Sequence, residues 1–258
     1  MSARRWERAA EQYATGEHKS GDELPLAVKF AAPKASDHLL DVGAGAGHMA
    51  LAMAPHVRSV VLTDPVGAML DAARGVFQNA GQTNAEFVRA AAEALPFPDA
   101  SFEIVSSRLA AHHFENLEVA LREIARVLKP GGVVILVDTV APDDPESARF
   151  LHEVETMRDP THRHTLSQDA WVRLLESQGF RIDQQGVVRK PHPFEPWLQR
   201  GGEDEPTQAR VRERFLHAPA KARAALEIQI ADGVVTSFTD SKLVLAARRS
   251  QGSAAPAG

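Results

Sequence analysis

Leu39-Leu40-Asp41-Val42-Gly43-Ala44-Gly45-Ala46-Gly47-His48 is the stretch that decides the fold. An apolar run ends in an acid, and three glycines follow at every second position. Glycine lets the chain turn with φ > 0 and lets a ligand approach bare backbone. The next residues, Met49-Ala50-Leu51-Ala52-Met53-Ala54, read as the start of a helix. Strand, glycine turn and helix N-terminus together make a nucleotide-type ligand site.

The spacing narrows the ligand. A dinucleotide fingerprint is G-x-G-x-x-G, whose third glycine permits close helix–strand packing. That position is His48 here, which disfavours a nicotinamide oxidoreductase. No G-K-[ST] follows, which excludes a P-loop. Asp64 ends the next apolar run, Val60-Val61-Leu62-Thr63-Asp64, about twenty residues on, where an acid accepts hydrogen bonds from ribose hydroxyls. The site suits a ribose-bearing ligand without a pyrophosphate.

Working outward, the central part alternates strand and helix. Strands are expected at 38–42, 59–63, 86–89, 102–107 and 133–139. Val133-Val134-Ile135-Leu136-Val137 is continuously apolar, as for a parallel strand covered on both faces. Val66, Met69, Leu70, Ala73, Val76 and Phe77 recur at helical spacing, with Pro65 in the first turn. Leu117, Leu121, Ile124 and Leu128 line a later helix, which Lys129-Pro130-Gly131-Gly132 stops. The pattern predicts an α/β fold with a doubly wound, mostly parallel sheet and a small helical lid. A helix over 166–178 is expected, with Thr165 and Gln168 as a capping box and Gly179 at its end. Strands near 181–189 and 242–248 follow, flanking a Pro/Gly-rich segment with weak helices near 207–217 and 219–230. The expected layout is one domain over 1–249. It has a helical cap at about 1–35, a lid insertion at about 191–232 and a disordered tail at 250–258.

These motifs resemble the class I S-adenosylmethionine-dependent methyltransferases. Asp41–Gly47 resembles their first motif, and Thr63-Asp64-Pro65-Val66-Gly67-Ala68-Met69-Leu70 their ribose-binding segment. Residues 92–103 resemble the adenine segment, and 121–132 the helix and turn before the fifth strand. The nearest branch looks like the small-molecule enzymes related to the ubiquinone and menaquinone C-methyltransferases. The resemblance implies S-adenosyl-L-methionine as cofactor and S-adenosyl-L-homocysteine as product. It implies cofactor contacts at Asp41, Gly43, Gly45, Gly47, Asp64, Pro65, Met69, Ala92, Glu93 and Arg108. Asp41 is expected near the methionine ammonium, and Pro65 and Met69 beside adenine. Where the family commonly has Asp before Ala-Glu, this chain has Ala91, leaving the Ala92 N–H and Glu93 to face the ring.

Acid–base work falls to two polar clusters. One is Arg108-Leu109-Ala110-Ala111-His112-His113, after the fourth strand, where Arg108 faces the cofactor carboxylate or a substrate acid. Adjacent histidines point differently, so one at most is expected to face the substrate. The other is Arg158-Asp159-Pro160-Thr161-His162-Arg163-His164. His113, His162 or Asp159 serves as base if the acceptor starts protonated, as a phenol or enol does. The sequence does not choose among them. No metal is expected. Tyr13 and His18 are candidates to close over the cofactor, and Phe194 and Trp197 to form lid contacts.

Bulk properties set the remaining bounds. The chain has 258 residues, 44% apolar and 24% charged, with a net charge of −5 and no cysteine. That balance disfavours a nucleic-acid partner, and no apolar run reaches the ~20 residues of a membrane span. The expected partner is a small-molecule substrate and the expected location cytoplasmic; oligomeric state is not legible. A non-catalytic protein that binds the cofactor or its product is the alternative reading.

Overall fold

The computed structural model describes residues 21–250. Tyr13, His18 and most of the expected N-terminal cap and C-terminal tail lie outside the described residues. Of the cap, helix α1 (Glu23–Ala31) is described.

Seven strands form one continuous path. They are β1 (His38–Val42), β2 (Ser59–Asp64), β3 (Ala85–Arg89), β4 (Phe102–Arg108), β5 (Leu128–Val140), β6 (Phe180–Pro193) and β8 (Val234–Arg249). A short β7 (Gln229–Ala231) pairs with β8. The order is β3-β2-β1-β4-β5-β8-β6. The first five strands run parallel, while β8 is antiparallel to both β5 and β6. The order reverses between β1 and β4, and a ligand crevice opens beyond the strand ends at such a switch point.

Alternation along the strands feeds two cores. Leu39, Val60, Leu62, Ile104, Ile135 and Val244 face one side. There α1, α2 (His48–Met53) and α3 (Gly67–Asn79) pack on them. Leu40, Val105, Val134, Leu136 and Leu245 face the other side, under α4 (Leu117–Val127) and α6 (Gln168–Ser177). A third core joins α5 (Pro145–Arg158), α7 (Phe194–Arg200), α8 (Glu205–Leu216) and α9 (Ala220–Ala225) to the start of β8. Phe150, Phe194, Trp197, Phe215 and Phe238 fill it edge to face. Each such ring contributes about 1.5–3 kcal/mol by leaving water, so the lid holds itself together.

Several boundaries differ from expectation. Lys129-Pro130-Gly131-Gly132 lies inside β5, which starts at Leu128 directly after α4. Pro65 precedes α3, whose first residue is Gly67. The Thr165–Gln168 box does not form; Ser167 caps α6 by accepting from the Ala170 N–H at 3.2 Å. Pro191 and Pro193 belong to β6, so the helical insertion begins at Phe194 rather than near 191. Proline is tolerated there because β6 is the sheet edge, where an absent N–H breaks no ladder. Strand β8 starts eight residues earlier than its apolar run; Val235 and Phe238 of its first half enter the third core, while Asp240 lines a cavity. Among the described residues no helix is long and apolar enough to cross a membrane.

Candidate active site

The glycine loop joins β1 to α2. Gly43, Gly45 and Gly47 all have positive φ, at 66°, 52° and 81°. They are not equivalent. A Cβ on Gly43 would lie 2.7 Å from the Ala110 Cβ. One on Gly47 would lie 2.9 Å from Leu62 Cδ2 and 3.2 Å from Ala73. Gly47 therefore lets α2 and α3 close on the sheet, and it is absent from the cavity wall, contrary to its expected cofactor contact. A Cβ on Gly45 would meet no described atom within 4 Å. That bare position opens into a cavity of about 430 Å³.

The acids around the loop face the same space. Asp41 is 1% exposed; its Oδ1 accepts from Ser106 Oγ at 2.6 Å, and its Oδ2 has no hydrogen-bond partner among the described residues. Burial, against the Ser106 bond, pushes its carboxyl up to about 7. Asp64 accepts from the Gly45 N–H at 3.0 Å and the Val66 N–H at 2.9 Å, so it ties the loop to the start of α3. Burial raises its pKa. Met69 is buried beside it, Pro65 is exposed, and Ala92 closes the wall from the loop after β3. Glu93 also lines the cavity, but its Oε1 accepts the N–H groups of Glu115 and Asn116, holding the turn before α4. Arg108 is paired with Glu23 of α1 at 2.6 Å, both side chains buried. This partner was not foreseen, because Glu23 lies in a segment read only as a cap.

The other half of the cavity is histidine-rich. His112 and His113 sit on a short 3-10 turn after β4, preceded by Leu109 in the left-handed region at φ 52°. The turn is laced to the 159–164 loop, since the Arg163 N–H donates to the His112 carbonyl at 2.8 Å. Both adjacent histidines line the cavity with His162, against the expectation that only one would. The ring centroids of His112 lie 4.1 Å from His113 and 4.8 Å from His162.

Asp138, at the end of β5, grips His112 twice. Its Oδ1 meets Nδ1 at 2.6 Å, and its Oδ2 accepts the backbone N–H at 3.1 Å. Asp138 is wholly buried, and its charge holds the imidazole above its ordinary pKa despite burial. The carboxyl is held down in turn by His112. Burial, with the His112 charge second, pushes His113 down to about 3 and His162 to about 4. His113 Nδ1 lies 3.1 Å from the Thr161 carbonyl, which only accepts, so Nδ1 carries the proton and Nε2 the lone pair. Thr161 Oγ1 donates to Asp159 Oδ1 at 2.6 Å, so Asp159 fixes the support of His113. His162 Nε2 lies 2.7 Å from Thr165 Oγ1. His164 turns to the Phe114 carbonyl. Among the described residues no group of three or more acids and histidines has a metal-holding arrangement.

Known proteins resemble this chain in sequence and fold. The Methyltransferase domain family matches residues 40–136. A protein named as the methyltransferase YcgJ of Bacillus subtilis is 36% identical over 203 residues, which are 79% of this chain and 80% of that protein. The chain belongs to the class I S-adenosylmethionine-dependent methyltransferases. The crystal structure of the Bacillus subtilis YcgJ protein superposes with a TM-score of 0.85 at 34% identity, covering 89% of this chain and 99% of that one. The ubiquinone/menaquinone biosynthesis C-methyltransferase UbiE of Hahella chejuensis is 37% identical over 158 residues, 59% of this chain and 64% of that protein. The doubly wound methyltransferase fold expected from the glycine stretch is thus the fold observed.

The residues present fit the cofactor of this family. Gly45 offers bare backbone, Asp41 Oδ2 an unmet acceptor for a cation, and Asp64 an acid at ribose distance along the motif. The sequence missed the pairing of His112 with Asp138 and, on the cavity wall across from the loop, His192, Asp240 and Lys242. Only an isolated acid closing the apolar run Val133–Val137 signalled any of them.

Proposed function

We propose that this methyltransferase binds S-adenosylmethionine at the glycine loop and methylates carbon or oxygen of a small-molecule acceptor. The observation that carries this is the open direction at Gly45 beside the unpartnered Asp41 Oδ2. When bound, the cofactor supplies a sulfonium-activated methyl group. In this reading Asp41 holds its ammonium, Asp64 its ribose hydroxyls, and Met69, Pro65 and Ala92 flank the adenine. Gly43 shapes the loop. Arg108, already paired with Glu23, borders the carboxylate end.

The cavity volume of about 430 Å³ supports a small acceptor over a macromolecular one. The chain's part is to align the acceptor, exclude water and take a proton where the acceptor is a phenol or enol. His113 Nε2 carries a lone pair for that step, with His162 beside it and Asp159 acting through Thr161, but burial makes both rings weak bases that match only an acidic acceptor. Because both rings are neutral well below pH 7, turnover limited by either is flat from about pH 6 upward rather than rising through neutrality. The test begins with S-adenosylhomocysteine, expected to raise the melting temperature by binding the native state. Methyl-labelled S-adenosylmethionine and a metabolite extract then reveal the acceptor by mass. A shift with NADH and none with S-adenosylhomocysteine would sink the reading.

A further inference from the structure

Beyond the ends of the parallel strands, β8 and β6 continue as an antiparallel pair. Period-two alternation puts Asp240 and Lys242 on one face of β8. Lys242 lies opposite Thr139 of β5, Asp240 opposite Lys190 of β6, and His192 opposite Phe238. Lys242 Nζ donates to Asp240 Oδ2 and to Thr139 Oγ1, each at 2.7 Å. His192 Nε2 lies 3.0 Å from Asp240 Oδ2, and its ring stacks on Phe238. The three side chains are 6% exposed or less and line the cavity wall across from the glycine loop. All lie outside the residues that the family matches.

What this wall lacks defines what it binds. Among the described residues Asp240 Oδ1 is buried without a donor, and His192 Nδ1 is buried without a partner while Nε2 stands against Asp240 Oδ2. Four cations of the cavity wall have carboxylates of their own. Arg108 and Lys190 share Glu23, Arg158 has Glu155, and Lys242 has Asp240. The unmet group is an anionic acceptor, and a buried acceptor without a donor is costly. A carboxylate or phosphate brought here would face Asp240 Oδ1 with like charge.

Resting on the cofactor reading above, we propose that Asp240 and His192 are the specificity subsite for the methyl acceptor. They take an uncharged hydrogen-bond donor, a hydroxyl or an amide N–H, and turn away carboxylates and phosphates. Lys242 positions Asp240 by holding Oδ2, which leaves Oδ1 for the acceptor.

Three matched probes test this on protein saturated with S-adenosylhomocysteine. Resorcinol carries two hydroxyl donors, isophthalate puts carboxylates in the same places, and 1,3-dimethoxybenzene has no donor. Resorcinol is expected to bind and to shift the His192 ring nitrogens in NMR spectra, with the other two binding at least about tenfold more weakly, as for one hydrogen bond to a charged group. Asp240→Asn is expected to abolish that preference while leaving S-adenosylhomocysteine affinity intact. His192→Phe, which keeps the stack on Phe238, tests the subsite independently should Asp240→Asn not fold. Isophthalate binding as tightly as resorcinol, an unchanged preference in a folded variant, or no binding by any probe overturns the subsite alone. Failure of S-adenosylhomocysteine to bind, read in the first titration, overturns the cofactor reading and the subsite with it.

Discussion

The two halves of the cavity are made in different ways. The glycine-loop half uses short contiguous motifs, each at the end of a parallel strand, and its acids are met mainly by backbone; Gly45 and Asp64 are 19 residues apart. The histidine half is assembled from single side chains on distant elements, closed into charge pairs; Lys242 and Thr139 are 103 residues apart. Damage to the first should therefore appear in cofactor affinity, and damage to the second in stability.

The largest expected effect tests the second half. Asp138→Ala removes the carboxylate that holds the His112 ring, the His112 N–H and the Thr139 N–H. Breaking a buried pair from one side costs about 3–5 kcal/mol. Denaturant unfolding should show that loss while S-adenosylhomocysteine affinity of the folded variant stays at the wild-type value. A parallel fall in affinity would mean that the halves act as one unit. The pair should also weaken at both ends of the pH scale. Asp138, depressed, loses its contribution as pH falls below the ordinary carboxylate range, and His112, raised, loses its own as pH rises through its folded pKa.

Next comes the loop itself. A Cβ at Gly45 meets no described atom within 4 Å, so Gly45→Val should stay folded, apart from strain of ~1–3 kcal/mol at positive φ, and lose cofactor binding. A loss of about 100-fold or more, roughly 2.7 kcal/mol, is expected by calorimetry. Gly47→Ala should do the opposite, losing stability against Leu62 and Ala73 with affinity kept. Micromolar binding by folded Gly45→Val would reduce the loop to a turn.

These contrasts also explain what the sequence showed. Strand ends, glycine spacing and Asp64 are local signals, so the parallel sheet and the cofactor wall were legible before any coordinates. Gly47 was misassigned because spacing alone cannot tell a glycine that admits a ligand from one that admits a helix. Strand β8 was cut short because Thr236, Ser237, Thr239, Asp240 and Ser241 break the apolar run that marks a strand, and Asp240 lines the cavity there. The His112–Asp138 and Lys242–Asp240 pairs needed β5, β8 and the 3-10 turn to meet, and no periodicity encodes that meeting. Glu23, taken for a cap residue, turned out to anchor Arg108 for the same reason.

A smaller effect is expected at Asp64. Asp64→Ala leaves ribose hydroxyls without an acceptor and should weaken S-adenosylhomocysteine by ~1–3 kcal/mol. It also removes the acceptor for two backbone N–H groups, so some stability goes too. Loss of stability with affinity intact would assign the carboxylate to the loop alone.

The smallest effect is the most diagnostic of the first half. Asp41 is protonated up to about pH 7 in the folded protein, because burial outweighs the bond from Ser106. Unfolded, it ionises near the ordinary value of 3.8. The folded state therefore binds more protons between those limits, and the Asp41 contribution to stability falls as pH rises from about 4 to 7 and then levels off. A cation placed at Oδ2 favours the carboxylate, so binding S-adenosylhomocysteine at pH 6 should expel a proton. Affinity should then rise by up to tenfold, about 1.4 kcal/mol, per pH unit below 7 and flatten above it. Calorimetry in two buffers of different ionisation enthalpy counts that proton directly. Asp41→Asn should bind more weakly, release no proton and lose the slope. Proton uptake by the wild type, or a slope that survives in Asp41→Asn, would move the cofactor's cation away from Asp41 and leave Oδ2 as a purely internal strain on the loop.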